Sequence, residues 1–221
     1  MREVAPGLWD WQAPHPEWQD GEPWGPLVSS HALDDGERLL LFDPLAVPDA
    51  IRELASCRTT AIVLTAPWHE RDTRSLVEEI HVPVYAARPD SGQDLIDVFD
   101  VSAEEAEGFV SSDLRWLLHE DSGEYHSISA GEPAPFGIEV LQGRTRNDLT
   151  FWIEPFRAVI SGDTLSDCGD SLALQVHWLM AKVNRDEVAA RLRPLLEKPV
   201  DVVLSAHGAP ADRSALERAL A

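Results

Sequence analysis

The sequence predicts a mixed α/β chain folded as a four-layer αββα sandwich, two sheets face to face with helices outside. Three observations lead there. Val4 to Asp43 reads as strands and loops with no helix. Strand and helix then alternate from Pro48 to Ala86. From Ile138 the strands return, followed by helix, strand and helix to Leu220. Such an order supplies two sheets and the helices that cover their outer faces. The 221 residues are enough for one domain, 1–221, with a substantial core.

Val4 to Trp11 reads as the first strand, and a loop rich in Pro and Trp follows to Pro26. Leu27 to Leu33 and Arg38 to Asp43 form a hairpin around Asp34-Asp35-Gly36, a good turn sequence. Pro48 to Ser56 is a short helix with proline near its start, where the missing N–H does no harm. Thr60 to Thr65, β-branched and apolar, is a strand buried on both faces. Asp72 or Thr73 caps a helix to about Ile80, and Val82 to Ala86 is the next strand. Ser102 to Leu118 is a helix opened by a capping box, Ser102 with Glu105, and weakened at Gly108. Ile138 to Leu141, Leu149 to Glu154 and Ala158 to Ser161 are strands, the last two joined by a turn at Glu154-Pro155-Phe156-Arg157. Arg185 to Leu196 is an amphipathic helix, Val200 to Ser205 a buried strand and Arg213 to Leu220 the last helix.

Charge excludes some partners. With 39 acidic against 18 basic residues the formal charge is −21. Such a chain repels phosphate backbones and anionic bilayers, so neither nucleic acid nor membrane is an expected partner. No apolar run is long enough to span a bilayer, and Met1 to Gly7 lacks the apolar stretch of a signal peptide. The expected compartment is the cytoplasm. Cys57 and Cys168 form no disulfide framework and no C-x-x-C zinc site, and are expected as reduced thiols. Cys168 falls five residues after Asp163, at the border of the expected pocket.

Three segments carry the chemistry, each after an apolar run. They are Thr65-Ala66-Pro67-Trp68-His69-Glu70-Arg71-Asp72-Thr73, Ile160-Ser161-Gly162-Asp163-Thr164-Leu165 and Leu204-Ser205-Ala206-His207-Gly208. Each reads as a strand end bearing a metal ligand. In this order they resemble the metallo-β-lactamase fold superfamily over most of the chain, from Val4-Ala5-Pro6-Gly7-Leu8-Trp9 to His207. The resemblance implies the αββα fold and a metal pocket at the strand ends. In that superfamily one strand ends in H-x-H-x-D-H. A later His, an Asp in a G-D segment and a His near the C-terminus add ligands, and two zinc or iron ions drive hydrolysis.

The ligand positions depart from that pattern. Aligned on His69, Pro67 takes the first His position, Arg71 the Asp and Asp72 the last His. Aligned on Thr65, no His of the motif survives, and the first register is preferred. Arg144 stands where the later His falls, whereas Asp163 and His207 match. Arginine cannot ligate a metal, because its guanidinium stays protonated and offers no lone pair.

His69, Asp72, Asp163 and His207 are therefore the metal candidates, for at most one ion. Arg71, Arg144, Trp68 and Cys168 are the other expected pocket residues. The leading expectation is a pocket without metal, in which Arg71 or Arg144 neutralises Asp163 or Asp72. The matching function is a catalytically silent protein that binds a small molecule or another subunit. The alternative keeps one zinc, iron or manganese ion on these residues. It makes the chain a mononuclear hydrolase of an ester, thioester, lactone or phosphoester, with Arg144 on an anionic group or oxyanion. Asp72 also suits the plainer role of helix cap. Trp18 and Trp24 either pack on the sheet edge or cover an apolar substrate at the pocket mouth. His15, His31, His81, His119, His126 and His177 show no ligand spacing and are expected to be structural or exposed.

Overall fold

The computed structural model describes residues 1–99, 101–110, 116–117, 124–132, 134–167, 171–175 and 183–221. The chain opens with two strands where one was predicted. β1 (Arg2–Ala5) and β2 (Leu8–Pro14) pair antiparallel across a turn at Pro6-Gly7. Gly7 has φ +76°, and a Cβ there would lie 2.2 Å from the Asp34 carbonyl oxygen. Only glycine fits such a turn. β3 (Leu27–Asp34) and β4 (Arg38–Phe42) form the expected hairpin. The Asp34 and Asp35 carboxylates accept the turn amides of Gly36, Glu37 and Arg38.

α1 (Asp49–Ala55), β5 (Thr59–Val63), α2 (Thr73–Ile80) and β6 (Val84–Ala86) then alternate as the sequence suggests. α3 (Gly92–Phe99) was not anticipated. α4 (Ala103–Val110) begins at the capping box. There the Glu105 amide donates to Ser102 Oγ at 3.2 Å and the Ser102 amide to Glu105 Oε2 at 2.8 Å. Residues 111–115 and 118 of the predicted helix lie outside the described residues. β7 (Tyr125–Ser127) completes a seven-stranded sheet in sequential order, antiparallel from β1 to β4 and parallel from β4 to β7.

The second sheet begins with β8 (Ile138–Gln142), β9 (Leu149–Ile153) and β10 (Ala158–Ser161). A small hairpin of β11 (Leu165–Asp167) and β12 (Leu172–Leu174) and then α5 (Arg185–Leu192) precede β13 (Val202–Ser205). β13 joins the sheet beside β10, giving the order β13-β10-β9-β8, and α6 (Arg213–Ala219) ends the chain. α5 stops short of its predicted end at Leu196. Pro194 cannot continue the α-helical ladder, and a 3-10 segment over Arg193–Glu197 takes over.

The buried side chains explain the layering. Leu8, Leu33, Phe42 and Val63 of the first sheet meet Val140, Phe151, Ile160 and Leu204 of the second. Their strand neighbours point the other way, as the period of two requires. Thus Leu41, Ile62 and Val84 pack under Ile51 of α1 and Leu76 and Val77 of α2. On the far side Trp152, Val159 and Val203 pack under Val188 and Leu192 of α5 and Leu216 of α6. This is the αββα sandwich the sequence predicts. No helix among the described residues is long and apolar enough to cross a membrane.

Candidate functional site

β10 and β13 run parallel with Ser161 opposite Ser205, and the Ala206 amide donates to the Ser161 carbonyl at 3.0 Å. Asp163 and His207 each follow their serine by two residues, so the shared register delivers them side by side. His69 arrives from the other sheet, at the end of a 3-10 turn (Pro67–His69) after β5. All three are buried, at 5 %, 5 % and 7 % exposure for His69, Asp163 and His207.

Asp163 is the centre of the cluster. Its Oδ1 lies 3.2 Å from His69 Nε2 and 3.3 Å from His207 Nε2. Its Oδ2 accepts from the Trp68 indole at 2.9 Å and from Arg144 Nη2 at 3.1 Å. The two imidazole rings stand 6.5 Å apart between centroids. Behind His69, Nδ1 lies 3.0 Å from Asp43 Oδ2 and 2.8 Å from Thr65 Oγ1. Thr65 Oγ1 itself donates to Asp43, whose Oδ1 also takes the Thr65 amide at 2.8 Å.

These contacts set the charges. Burial disfavours a protonated His69, but the Asp163 and Asp43 carboxylates outweigh it and lift the ring to about 9. Burial alone would also protonate Asp163. His69, His207 and Arg144 instead hold it well below the ordinary carboxylate range. His207 moves down, chiefly through burial, with the charges of His69 and Arg71 adding to the effect against Asp163.

Arg144 is almost sealed, at 2 % exposure. Its Nε donates to Asp148 Oδ2 at 2.7 Å and its Nη1 to the Gln175 carbonyl at 3.2 Å, while Nη2 reaches Asp163. It therefore bridges two buried carboxylates. Burial and the charge of Asp163 push Asp148 up despite Arg144.

Solved structures of metallo-β-lactamases share this architecture. VMB-1 superposes with a TM-score of 0.64 at 15 % identity, covering 99 % of this chain and 93 % of its own. TMB-1 gives 0.61 at 14 % identity, with 99 % and 94 % covered. The DIM-1 metallo-beta-lactamase gives 0.62 at 15 % identity, with 99 % and 93 % covered. The chain has the metallo-β-lactamase fold. No protein-family model and no curated protein sequence matches it.

On this metallo-β-lactamase scaffold the expected pocket residues divide. Trp68, His69, Arg144, Asp163 and His207 come together. Asp72 does not join the cluster. Its Oδ2 accepts the Ala46 amide at 2.6 Å, and it stands before α2 without a side-chain capping bond. Nor does Arg71 form a hydrogen-bonded pair with Asp72 or Asp163. Its Nη1 donates to the Ser29 and Asp43 carbonyls at 2.6 and 2.8 Å. Cys168 lies outside the described residues, and Cys57 is exposed. Trp24 packs at the sheet edge, as the first of its two readings expects. It packs on Ala13, Val28 and Leu45, and its ring meets His207 edge-on at 5.2 Å. His15, expected to be structural or exposed, meets Trp24 edge-on at 5.3 Å.

The donor set suits one ion. Two imidazoles and a carboxylate are a ligand combination used for zinc, iron and manganese. Their ligand atoms all lie within 4.8 Å of one another. The Oδ1–Nε2 separations of 3.2 and 3.3 Å match the edge of a tetrahedron with bonds of about 2.0–2.1 Å. Asp43 on the far nitrogen of His69 stands where an outer carboxylate would orient the imidazole, were it to ligate an ion. No second group of this kind occurs among the described residues.

Asp43 and Asp148 escaped the sequence reading. Both sit at the margin of a buried apolar strand, Asp43 after Leu39-Leu40-Leu41-Phe42 and Asp148 before Leu149. A carboxylate directly abutting such a run is the signal that would have found them, because burial demands a partner.

Proposed function

We propose that the chain is a hydrolase that works with a single divalent ion held by His69, Asp163 and His207. The division of labour at Asp163 carries this reading. Trp68 and Arg144 occupy Oδ2, while Oδ1 faces both imidazoles. A carboxylate fixed in this way offers one oxygen to an ion and keeps its orientation. An ion there supplies Lewis acidity toward a carbonyl or phosphoryl centre. The chain's own residues do the remaining work. Asp43 holds His69 with its proton on Nδ1, leaving Nε2 toward the pocket. Arg144 keeps the Asp163 charge tolerable in a dry site. Trp24 and Trp68 cover the cluster and limit water. The substrate class is an ester, thioester, lactone or phosphoester, handled in the cytoplasm.

A second reading has its own observation. Arg144 and a protonated His69 already neutralise Asp163 without metal, as in a silent binding protein. Elemental analysis after growth with zinc, iron or manganese separates the two. The hydrolase reading expects one ion per chain, lost in Asp163→Asn and His207→Ala. Protein that takes up none of the three metals supports the silent binder instead.

A further inference from the structure

Arg71 has half of its guanidinium unused. Its Nη1 is anchored to the Ser29 and Asp43 carbonyls and, at 3.4 Å, to Ser30 Oγ. Nε and Nη2 meet no acceptor among the described residues, and the side chain is only part-buried. Those two N–H groups form the side-on fork of an arginine, the pair that grips a carboxylate or phosphate with parallel hydrogen bonds. The anchors are backbone carbonyls of β3 and the end of β4, so the fork is held in place before any ligand arrives. The residue is itself fixed at φ +47°, an unfavoured backbone setting for a side chain other than glycine. Both anchors adjoin the cluster: Ser29 donates its amide to the Ala206 carbonyl at 2.7 Å, next to His207, and the Asp43 carboxylate contacts His69. Arg71 is therefore anchored at the margin of the cluster, through strand residues that adjoin His69 and His207.

We infer that the free Nε–Nη2 fork of Arg71 is an anion-binding subsite beside the His69–Asp163–His207 cluster, and that the substrate carries a carboxylate or phosphate group there. The inference rests on the single-ion hydrolase reading for what the docked molecule meets next, but not for the binding itself. Arg144 cannot serve this purpose, because all three of its nitrogens are engaged inside the protein. Trp24, packed on Val28 beside the Ser29 anchor and edge-on to His207, offers an apolar wall at this margin, so an acid with an apolar body suits the site better than a bare ion.

The test uses the full chain, chelator-treated and zinc-loaded, with inorganic phosphate and benzoate as separate probes in calorimetric titrations. Chelator-treated wild type should bind at least one of them. Arg71→Gln should weaken that binding about tenfold or more, and Arg71→Lys by less, since it keeps the charge and loses the fork. Tighter binding of benzoate than of phosphate assigns a carboxylate substrate, and the reverse a phosphorylated one. Because Arg71→Gln removes three anchoring bonds, a second readout stays on folded wild type. The arginine Nε–H resonance that disappears in Arg71→Lys should shift on addition of the bound probe. A resonance that does not move with either probe, or unchanged affinity in a folded Arg71→Gln, overturns the subsite. Zinc uptake with no anion binding sinks this inference and leaves the hydrolase reading intact. Anion binding in a chain that takes up no metal does the opposite.

Discussion

Asp43 accepts the Nδ1 proton of His69 at 3.0 Å while its other oxygen takes the Thr65 amide proton at 2.8 Å. One buried carboxylate thus ties the end of β5 to the imidazole that follows it. Replacing Asp43 by Ala should lower zinc affinity about 10–100-fold, the usual effect of losing an outer-sphere partner. Competition against a chromogenic chelator measures it. Unchanged affinity would mean that packing alone aims the His69 ring.

Arg144 should behave as a structural cation. It spans Asp148 at 2.7 Å and Asp163 at 3.1 Å, in a place that water barely reaches. Arg144→Ala leaves both carboxylates without it and should cost about 3–5 kcal/mol in denaturant unfolding. The loss should shrink when Asp163→Asn is added, and a double-mutant cycle gives the coupling. Zero coupling with both Asp163 and Asp148 would deny the bridge any energetic role.

Stability of the metal-free chain should fall at alkaline pH. His69 titrates at 6.5 unfolded and at about 9 in the folded chain. A group raised in this way stabilises the fold fully below pH 6.5, and the contribution is lost as pH climbs through 9. Chelator-treated protein should lose roughly 2–3 kcal/mol across that window. With zinc bound the ion replaces the proton on His69, and the decline should vanish. Unfolding curves at several pH values decide it, and a flat profile without metal would mean a neutral ring.

Gly208 should resist substitution. Its φ is +105°, and a Cβ there would lie 2.5 Å from the Asp167 Cβ and 2.7 Å from its carbonyl oxygen. Ala at this position should cost about 1–3 kcal/mol from the backbone alone, with the clash in addition. Because His207 is the preceding residue, metal stoichiometry should fall in the same variant. A variant with wild-type melting and one full equivalent of zinc would contradict this.

The strands around the site were legible because their signal is local. Ala158 to Ser161 and Leu149 to Ile153 are runs of apolar and β-branched residues, and they fold as read. The hairpin β11–β12 and strand β7 were not legible, since their three residues carry too little periodicity and lack a longer surrounding apolar run like Val82 to Ala86, which holds β6. At the site, Asp163 and His207 stood out because their segments, Ser161-Gly162-Asp163-Thr164 and Ser205-Ala206-His207-Gly208, resemble the metallo-β-lactamase pattern. The difference between Arg71 and Arg144 could not be read from sequence. Both are arginines where the resembled pattern carries a ligand, yet one turns to backbone carbonyls and the other to carboxylates. That choice depends on which groups the far strands leave unpaired, which is a property of the assembled sandwich. Asp72 was misplaced for the same reason, as the Ala46 amide that holds it lies in a different loop.

His69 belongs to one sheet, and Asp163 and His207 to the other. An ion gripped by all three would be a rivet through the sandwich as well as a reagent. Its removal would let the two sheets part at the end where the cluster lies. Free-ion concentration would then govern how long each molecule survives proteases, through the ordinary linkage of ligand binding to folding. A cell short of that metal would lose the protein itself, beyond losing its turnover.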